Sequence, residues 1–221
     1  MKKFAVIVAG GSGQRMGAAV PKQFLLLYEK PLLCYSIEAF LLAFDDIEII
    51  LVLPTEHLVK GEEIISRYQY QQVTLIAGGE TRFHSVQNGL KAVTEPSIVF
   101  VHDGVRCMVT KELIKRCYEQ ALEKGSAIPA VAATDSVRIE EGSTHHIIDR
   151  NKVRIIQTPQ TFRSDLLVAA YDREYQPSFT DEAGVVEASG REVFLIEGEY
   201  DNLKVTRPID IFLAEKILQS R

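Results

Sequence analysis

The sequence predicts an α/β protein with a Rossmann-like, twisted, mostly parallel sheet, helices on both faces and a projecting β-hairpin arm. Short apolar runs rich in β-branched residues alternate with segments of helical spacing, as in a parallel sheet covered on both sides. Several of these runs end at glycine or proline. A hairpin pattern interrupts the alternation after the fifth strand. We therefore expect a single domain over residues 1–221, with residues 134–151 inserted as an arm.

The predicted strands share a continuous apolar character and lie at residues 4–8, 47–53, 73–77, 97–101, 127–132 and 193–196. The predicted helices share apolar residues three or four positions apart and lie at residues 31–44, 56–68, 81–92, 111–124, 163–175 and 181–189, with a last one beginning at Pro208. Within the arm, Val137-Arg138-Ile139 and His146-Ile147-Ile148 flank a polar turn at residues 140–143. This pattern is typical of a β-hairpin.

Composition narrows the classes of function. The 221 residues are 46 % apolar and 25 % charged, as in an ordinary globular protein. The formal net charge of −5 argues against a broad nucleic-acid surface. No apolar run reaches the ~18 residues of a membrane helix, and the first run ends in glycine too soon for a secretory signal. Three cysteines without a C-x-x-C pair indicate reduced thiols, so we expect a cytoplasmic protein.

A glycine-rich segment, residues 9–17, directly follows the first predicted strand. Glycines let the backbone approach a ligand, and consecutive N–H groups can form an anion cradle at the carboxyl end of a strand. We therefore expect Ala9, Gly10, Gly11 and Gly13 to bind a nucleotide. The spacing excludes both a P-loop and a dinucleotide fingerprint. The alternative is a tight strand-to-helix turn that binds no ligand.

Two cations, Arg15 and Lys22, flank this loop, and Pro21 restricts the backbone just before Lys22. Phosphoryl-type transfer is accelerated mainly by positioning and by neutralising charge. Arginine offers a planar fork for this purpose, and lysine offers a point charge. Arg15 and Lys22 are therefore the predicted catalytic residues. The alternative is that both are solvated surface cations.

A polar cluster, His102-Asp103-Gly104-Val105-Arg106, follows the fourth predicted strand. Asp103 at a strand's carboxyl end is placed to hold Mg²⁺ or another divalent cation, which prefers oxygen ligands. Arg106 is a candidate phosphate ligand. The alternative is a salt bridge within the loop, since structural ion pairs are common.

Residues 9–16 and Pro21-Lys22-Gln23-Phe24-Leu25 resemble the N-terminal signature of sugar-phosphate cytidylyltransferases, and Gln157-Thr158-Pro159-Gln160 resembles a later motif of that family. The resemblance runs nearly end to end. It implies transfer of a cytidylyl group from CTP to a polyol phosphate, with release of pyrophosphate and with Mg²⁺ as cofactor. It also implies a homodimer in which the arm of each subunit, residues 134–151, reaches the other subunit's site.

By this resemblance, Arg82 and Ser85 contact the nucleotide, together with Asp103. The acceptor-binding residues that the resemblance implies are Arg106, Thr158, Thr180, Lys204 and, from the neighbouring subunit, Arg150. Read without the family, Thr81 or Ser85 simply caps a helix, and Thr180 has the position of a helix N-cap.

Two acceptors stay open at the level of the sequence. Asp149-Arg150-Asn151 and residues 180–183 favour 2-C-methyl-D-erythritol 4-phosphate, which implies a step in non-mevalonate isoprenoid precursor synthesis. Gly104 and Val105, where the family usually has alanines, resemble the ribitol 5-phosphate enzymes more closely. A function of another class is a non-catalytic nucleotide-binding module. The joint presence of Arg15, Lys22 and Asp103 argues against it.

Overall fold

The computed structural model describes residues 1–11 and 20–221, and its first strand, β1 (Lys2–Val8), lies inside an eight-stranded sheet. The other strands of the described residues are β2 (Leu26–Leu27), β3 (Lys30–Pro31), β4 (Ile47–Leu53), β5 (Val73–Ala77), β6 (Ser97–Asp103), β7 (Ser126–Ala132), β8 (Val137–Glu141), β9 (Thr144–Ile148), β10 (Arg154–Ile156), β11 (Gln160–Arg163) and β12 (Leu195–Glu197). The α-helices are α1 (Leu32–Ala43), α2 (Leu58–Tyr68), α3 (Arg82–Leu90), α4 (Lys111–Lys124), α5 (Ser164–Ala170), α6 (Glu182–Ala188) and α7 (Pro208–Gln219).

The sheet has the order β10-β7-β11-β6-β1-β4-β5, and β12 also pairs with β7. The pairs β6–β1, β1–β4 and β4–β5 are parallel, while β11 is antiparallel to both β6 and β7. The parallel strands β1, β4 and β6 are almost entirely buried, because helices cover both faces of the sheet. The carboxyl ends of β1, β4, β5 and β6 therefore meet at one edge, where open α/β sheets bind ligands.

Two apolar clusters occupy the two faces of the sheet. On one face, Phe40 of α1 packs against Phe100 of β6, together with residues of α2 and α4. On the other face, Phe83 of α3 packs against Tyr171 and Phe179, together with residues of α5 and α6. This arrangement confirms the predicted α/β class with helices on both faces.

A third, smaller cluster fixes the segments that flank the ligand-binding edge. It joins Leu27 of the β2–β3 hairpin to Val105 and Met108, which follow β6, and to Val205 and Ala214 at the C-terminal end. The Val205 N–H donates to the Val105 carbonyl at 3.1 Å. The chain just after β6 and the chain just before α7 are thereby held side by side.

The hairpin β8–β9 forms a two-stranded sheet of its own, with the turn at Gly142 in the left-handed region (φ 62°). Its strands are the predicted ones, each lengthened toward the turn. The division into one domain with an inserted arm stays a prediction.

Among the described residues, no helix has the length and apolar character needed to cross a membrane.

Several predicted boundaries differ from the observed ones, and two strands were not predicted. β6 continues to Asp103 because its backbone pairing with β1 persists beyond the apolar run. The helix predicted at 163–175 is the shorter α5, and it ends at Ala170. Strands β10 and β11 were not predicted, since β10 has only three residues and 160–163 carries only one large apolar residue, Phe162. Their pairing depends on contacts with β6 and β7 that are distant in sequence.

Candidate active site

A cavity of about 270 Å³ lies at the carboxyl ends of β1, β4, β5 and β6. Of the predicted site residues, those that line it are Ala9, Gly10, Gly11, Lys22, Arg82, Ser85, Asp103 and Lys204. Arg106 and Thr158 lie behind Asp103, whereas Arg150 and Thr180 are exposed outside the cavity lining. Gly13 and Arg15 belong to residues 12–19, outside the described residues.

The start of the glycine-rich loop and Lys22 form one wall of the cavity. The Ala9 N–H donates to the Val52 carbonyl at 3.0 Å, which fixes the loop's first residue to β4. A Cβ built on Gly11 would meet Cε of Lys22 at 3.2 Å, so the lysine stem packs directly on the glycine backbone. Lys22 Nζ also donates to the Val205 carbonyl at 3.4 Å. The start of the glycine-rich loop and Lys22 thus lie against each other at the cavity. Their binding of phosphate stays a prediction.

The loop after β5 forms the facing wall. The Ser85 hydroxyl accepts from the Gly79 N–H at 3.1 Å and donates to the Thr81 carbonyl at 2.9 Å, which ties the loop to the first turn of α3. Thr81 is the N-cap of α3 and accepts from the His84 N–H. Helix capping is thus the role of Thr81, while Ser85 lines the cavity and holds the loop. The nucleotide contact expected of Ser85 stays a prediction.

Asp103 is the centre of a cluster of cations. Its side chain is 10 % exposed, with Oδ1 3.2 Å from Arg82 Nε and Oδ2 2.8 Å from Lys204 Nζ. Arg106 Nε lies 3.8 Å from Oδ2. Burial by itself would raise the pKa of Asp103, but the opposing effects of Arg82, Lys204 and Arg106 hold this pKa well below its usual range. Asp103 is therefore ionised. The salt bridge within the loop, which was the alternative role predicted for Asp103 and Arg106, is present in the structure.

A chain of hydrogen bonds fixes the backbone of Asp103 from behind. The Asp103 N–H donates to Thr158 Oγ1 at 3.0 Å, and Thr158 Oγ1 lies 3.1 Å from His102 Nδ1. His102 Nε2 lies 3.3 Å from the Arg106 carbonyl, which only accepts, so we assign the proton to Nε2 and let Nδ1 accept from Thr158. Burial lowers the pKa of His102 to about 3, which keeps the ring neutral. The acceptor contact expected of Thr158 stays a prediction, because its hydroxyl is already engaged on both sides.

Arg106 uses its guanidinium on two backbone carbonyls. Nη1 donates to Asn202 at 2.8 Å and Nη2 donates to Ile156 at 3.3 Å, while the side chain is 12 % exposed. Burial lowers the pKa of Arg106, although the Asp103 carboxylate opposes this. Arg106 thus anchors the segment that carries Lys204 into the cavity. The predicted contact of Arg106 with an acceptor phosphate stays a prediction.

The loop after β6 fits tightly against β1. A Cβ on Gly104 would lie 3.0 Å from both Ala9 Cβ and Leu33 Cδ1, so glycine lets the loop pack closely against Ala9 and Leu33. The Gly104 N–H donates to the Val8 carbonyl at 2.9 Å, and the Ser36 hydroxyl donates to the Gly104 carbonyl at 3.2 Å. The loop that has Gly104 and Val105 in place of the family's usual alanines is therefore held firmly by hydrogen bonds to its backbone.

Two expectations at the edge of the site have different outcomes. Thr180 as the N-cap of α6 was wrong, because the N-cap is Asp181, whose Oδ1 accepts from the Gly184 N–H at 2.9 Å. Aspartate and threonine both suit an N-cap, so the sequence alone does not choose between neighbours. Arg150 lies at the end of the arm and donates to the Thr134 carbonyl at 2.9 Å, which joins the arm's two ends. Its expected contact with the neighbouring subunit's acceptor stays a prediction.

Sequence reasoning missed Gln23, Glu182 and Tyr171. Gln23 lines the cavity with 1 % of its surface exposed, and neither its amide oxygen nor its amide nitrogen has a hydrogen-bond partner in the part of the chain that the structure describes. Glu182 is fully buried and binds Arg82, with Tyr171 beside it. No signal in the sequence marks these residues, because the burial of Glu182, which makes its charge need a partner, is visible only in the fold.

Cys107, beside Arg106 in sequence, is buried with 3 % exposure, and burial raises the pKa of its thiol to about 12. Cys34 and Cys117 are also buried, and burial raises the pKa of their thiols to about 11 and about 12. None of these cysteines carries a reactive thiolate near neutral pH, since the thiolate is the nucleophilic form.

The chain matches the family model of 2-C-methyl-D-erythritol 4-phosphate cytidylyltransferase over residues 4–220. A relative of that name from Bacteroides fragilis is 44 % identical, and the match covers 99 % of this chain and 100 % of the relative. A relative of the same name from Porphyromonas gingivalis is 43 % identical, with 99 % of each chain covered.

Solved structures give the same result. The 4-diphosphocytidyl-2C-methyl-D-erythritol synthase of Anaerococcus prevotii superposes with a TM-score of 0.83 at 30 % identity, covering 99 % of this chain and 98 % of that one. The 2-C-methyl-D-erythritol 4-phosphate cytidylyltransferase of Thermus thermophilus superposes with a TM-score of 0.74 at 30 % identity, covering 97 % and 98 %. With its cation-rich cavity at the ligand-binding edge of this fold, the chain belongs to the 2-C-methyl-D-erythritol 4-phosphate cytidylyltransferase family.

Proposed function

We propose that this protein transfers the cytidylyl group of CTP to 2-C-methyl-D-erythritol 4-phosphate and releases pyrophosphate, as a step in non-mevalonate isoprenoid precursor synthesis. The observation that carries the proposal is the cavity itself. Lys22, Arg82 and Lys204 line one site together with Asp103, in a chain that matches this family from residue 4 to residue 220. These cations offset part of the negative charge that a triphosphate and an acceptor phosphate bring into one site.

The reaction requires positioning and charge neutralisation rather than a protein nucleophile. An oxygen of the acceptor phosphate attacks the α-phosphorus of CTP in line. A new P–O bond forms, and the bond from the α-phosphorus to the bridging oxygen breaks, so that pyrophosphate leaves with that electron pair. The attacking oxygen is already anionic and needs no general base. Consistently, His102 is neutral and fully buried behind Asp103.

We further propose that Mg²⁺ or another divalent cation is the cofactor, held by Asp103 and by the phosphates of CTP. Mg²⁺ is usually bound through one or two carboxylates plus substrate phosphates, and an ionised Asp103 in the cavity fits that donor set. Among residues 1–11 and 20–221, no group of three or more His, Cys, Asp or Glu side chains could hold the ion without substrate. When bound, such an ion neutralises charge on the transferring phosphate.

The activity is tested by incubating the purified protein with CTP, Mg²⁺ and either 2-C-methyl-D-erythritol 4-phosphate or ribitol 5-phosphate. Pyrophosphate is measured, and the cytidylylated product is identified by mass. We expect release with the methylerythritol acceptor alone. Release with ribitol 5-phosphate alone would assign the protein to the acceptor that Gly104 and Val105 suggested. No release with either acceptor, despite tight CTP binding, would favour the non-catalytic binding module.

We propose that the protein acts as a homodimer through the arm. Within residues 1–11 and 20–221, no other helix or strand packs extensively on the β8–β9 hairpin. Ile139 and Ile147 of this hairpin are 42 % and 65 % exposed. A two-stranded hairpin is at best marginally stable in water, so a second copy covering the arm would supply the missing apolar contact. Arg150 at the arm's end would then reach the neighbouring subunit's acceptor site.

Mixing two inactive variants tests this shared site. Arg150→Ala and Lys22→Ala subunits, exchanged into mixed dimers, should restore about a quarter of wild-type activity, because half of the dimers are mixed and each has one intact site. As the matched control, Lys22→Ala mixed with Lys204→Ala should restore nothing, since both residues line the same subunit's cavity. Absence of recovery for the first pair, with subunit exchange verified by mass, would show that Arg150 does not act across the dimer.

We also propose a cytoplasmic location. Its support is that Cys34, Cys107 and Cys117 are all free thiols, as expected of a protein in a reducing compartment.

A further inference from the structure

Glu182 is a fully buried carboxylate placed directly behind the cavity. It lies in the first turn of α6, and its side chain has 0 % exposure. An ionised carboxylate is retained in such a place only if a cation and further hydrogen bonds compensate the loss of water. Arg82 supplies the cation, because Nη1 faces Oε1 and Nη2 lies 3.2 Å from Oε2. Tyr171 supplies a further hydrogen bond, its hydroxyl donating to Oε1 at 3.3 Å.

Arg82 divides its donors between two carboxylates. Nε donates to Asp103 Oδ1, whereas Nη1 and Nη2 face Glu182. Burial opposes the charged form of Arg82, but Glu182 and Asp103 outweigh this and raise its pKa above the usual value. With its side chain 31 % exposed, Arg82 also lines the cavity. Glu182 thus fixes the orientation of the Arg82 guanidinium from the side away from the cavity. The N–H groups of Arg82 that Glu182 and Asp103 do not use stay available to a ligand in the cavity.

Removing the Glu182 carboxylate would change how Arg82 divides its N–H donors between Glu182 and Asp103. An arginine freed from Glu182 could turn both Nη atoms onto Asp103, since bidentate pairing of guanidinium and carboxylate is strongly favoured. Arg82 would then withdraw from the cavity, and Asp103 would give up the Oδ2 that faces Lys204 at 2.8 Å. Arg82 and Lys204 would both lose their orientation toward the cavity, although Glu182 itself is not among the residues that line it.

We propose that Glu182 is a positioning residue for cytidylyl transfer, which acts by holding Arg82 in the orientation that serves the phosphates. This inference rests on the proposed function. Tyr171, stacked on Phe83 with ring centroids 4.7 Å apart, holds the carboxylate in turn. The order of contacts from the core to the cavity is Tyr171, Glu182, Arg82 and Asp103.

The test is a double-mutant cycle on kcat, which isolates the coupling between two residues. Glu182→Gln keeps the side-chain volume and removes the charge. We expect it to lower kcat about tenfold in the wild-type background and less than twofold in an Arg82→Ala background, since the residue acts only through Arg82. Glu187→Gln, at an exposed position of the same helix, is the matched control and should leave kcat unchanged.

A merely structural role predicts a different pattern. Glu182→Gln would then lower the melting temperature with kcat of the folded fraction unchanged, or would lower kcat by the same factor in both backgrounds. Either result would overturn the inference. If Glu182→Gln does not fold, Glu182→Asp keeps the charge but moves it back by one methylene. Its kcat should fall severalfold, and a wild-type kcat would refute the positioning role. An inactive wild-type protein would instead refute the proposed function.

Discussion

Replacing Lys22 with alanine is expected to lower kcat for cytidylyl transfer by about 100- to 1,000-fold, the usual cost of removing one group that stabilises transition-state charge. Lys22 packs on Gly11 at the start of the glycine-rich loop, and its ammonium reaches the wall of the cavity. Negative charge on the transferring phosphate and on the departing pyrophosphate increases during the reaction. A fixed ammonium at that place therefore stabilises the transition state more than the bound substrate.

The measurement is steady-state pyrophosphate release together with thermal unfolding. Lys60→Ala is the matched control, because Lys60 is an exposed lysine of α2 that pairs with Glu63 outside the cavity lining. Both variants should unfold within a few degrees of the wild type, since neither removes buried apolar surface. A Lys22→Ala enzyme with kcat within threefold of the wild type would remove Lys22 from the catalytic machinery.

The sheet was largely predictable because its central strands are buried on both faces. Such strands appear in the sequence as continuous apolar runs, and 47–53 and 73–77 were placed at their observed bounds. Strand β11 was not predictable in the same way. Its segment Gln160-Thr161-Phe162-Arg163 is mostly polar, and its place in the sheet depends on partners distant in sequence, such as β6 and the contact of Gln160 with Asp181 at 3.0 Å.

The candidate site was predictable where residues follow one another at strand ends. The carboxyl ends of parallel strands meet at one edge, so Gly10 and Asp103 were expected together and do line one cavity. Ser85, which lines the same cavity, was expected there only from the family resemblance. Glu182 and Gln23 were not predictable, because one reaches Arg82 through the core and the other is buried beside Lys22. Local motifs carry no information about which distant side chain will face a cavity residue from behind.

Replacing Asp103 with asparagine should separate substrate binding from turnover. The change removes the carboxylate that Arg82, Arg106 and Lys204 share, and leaves their positive charges facing the cavity or its base. A more positive cavity attracts a triphosphate more strongly. We therefore expect metal-free CTP to bind at least as tightly as in the wild type, by calorimetry, while kcat with Mg²⁺ falls by about 100-fold or more because the proposed metal ligand is lost.

Asp103→Asn should also lower the stability of the fold, so its control must be another Asp→Asn change, at a position outside the site. Breaking a buried pair by removing one partner costs about 3–5 kcal/mol, and the partial exposure of Arg82 and Lys204 reduces this to about 2 kcal/mol, or roughly 4–8 °C in melting temperature. Asp165→Asn removes an exposed aspartate that pairs with Arg163, and it should change neither the melting temperature nor kcat. Weaker binding of metal-free CTP by a folded Asp103→Asn protein would mean that Asp103 organises the cations rather than offsetting their charge. A kcat close to the wild-type value would exclude Asp103 as the metal ligand.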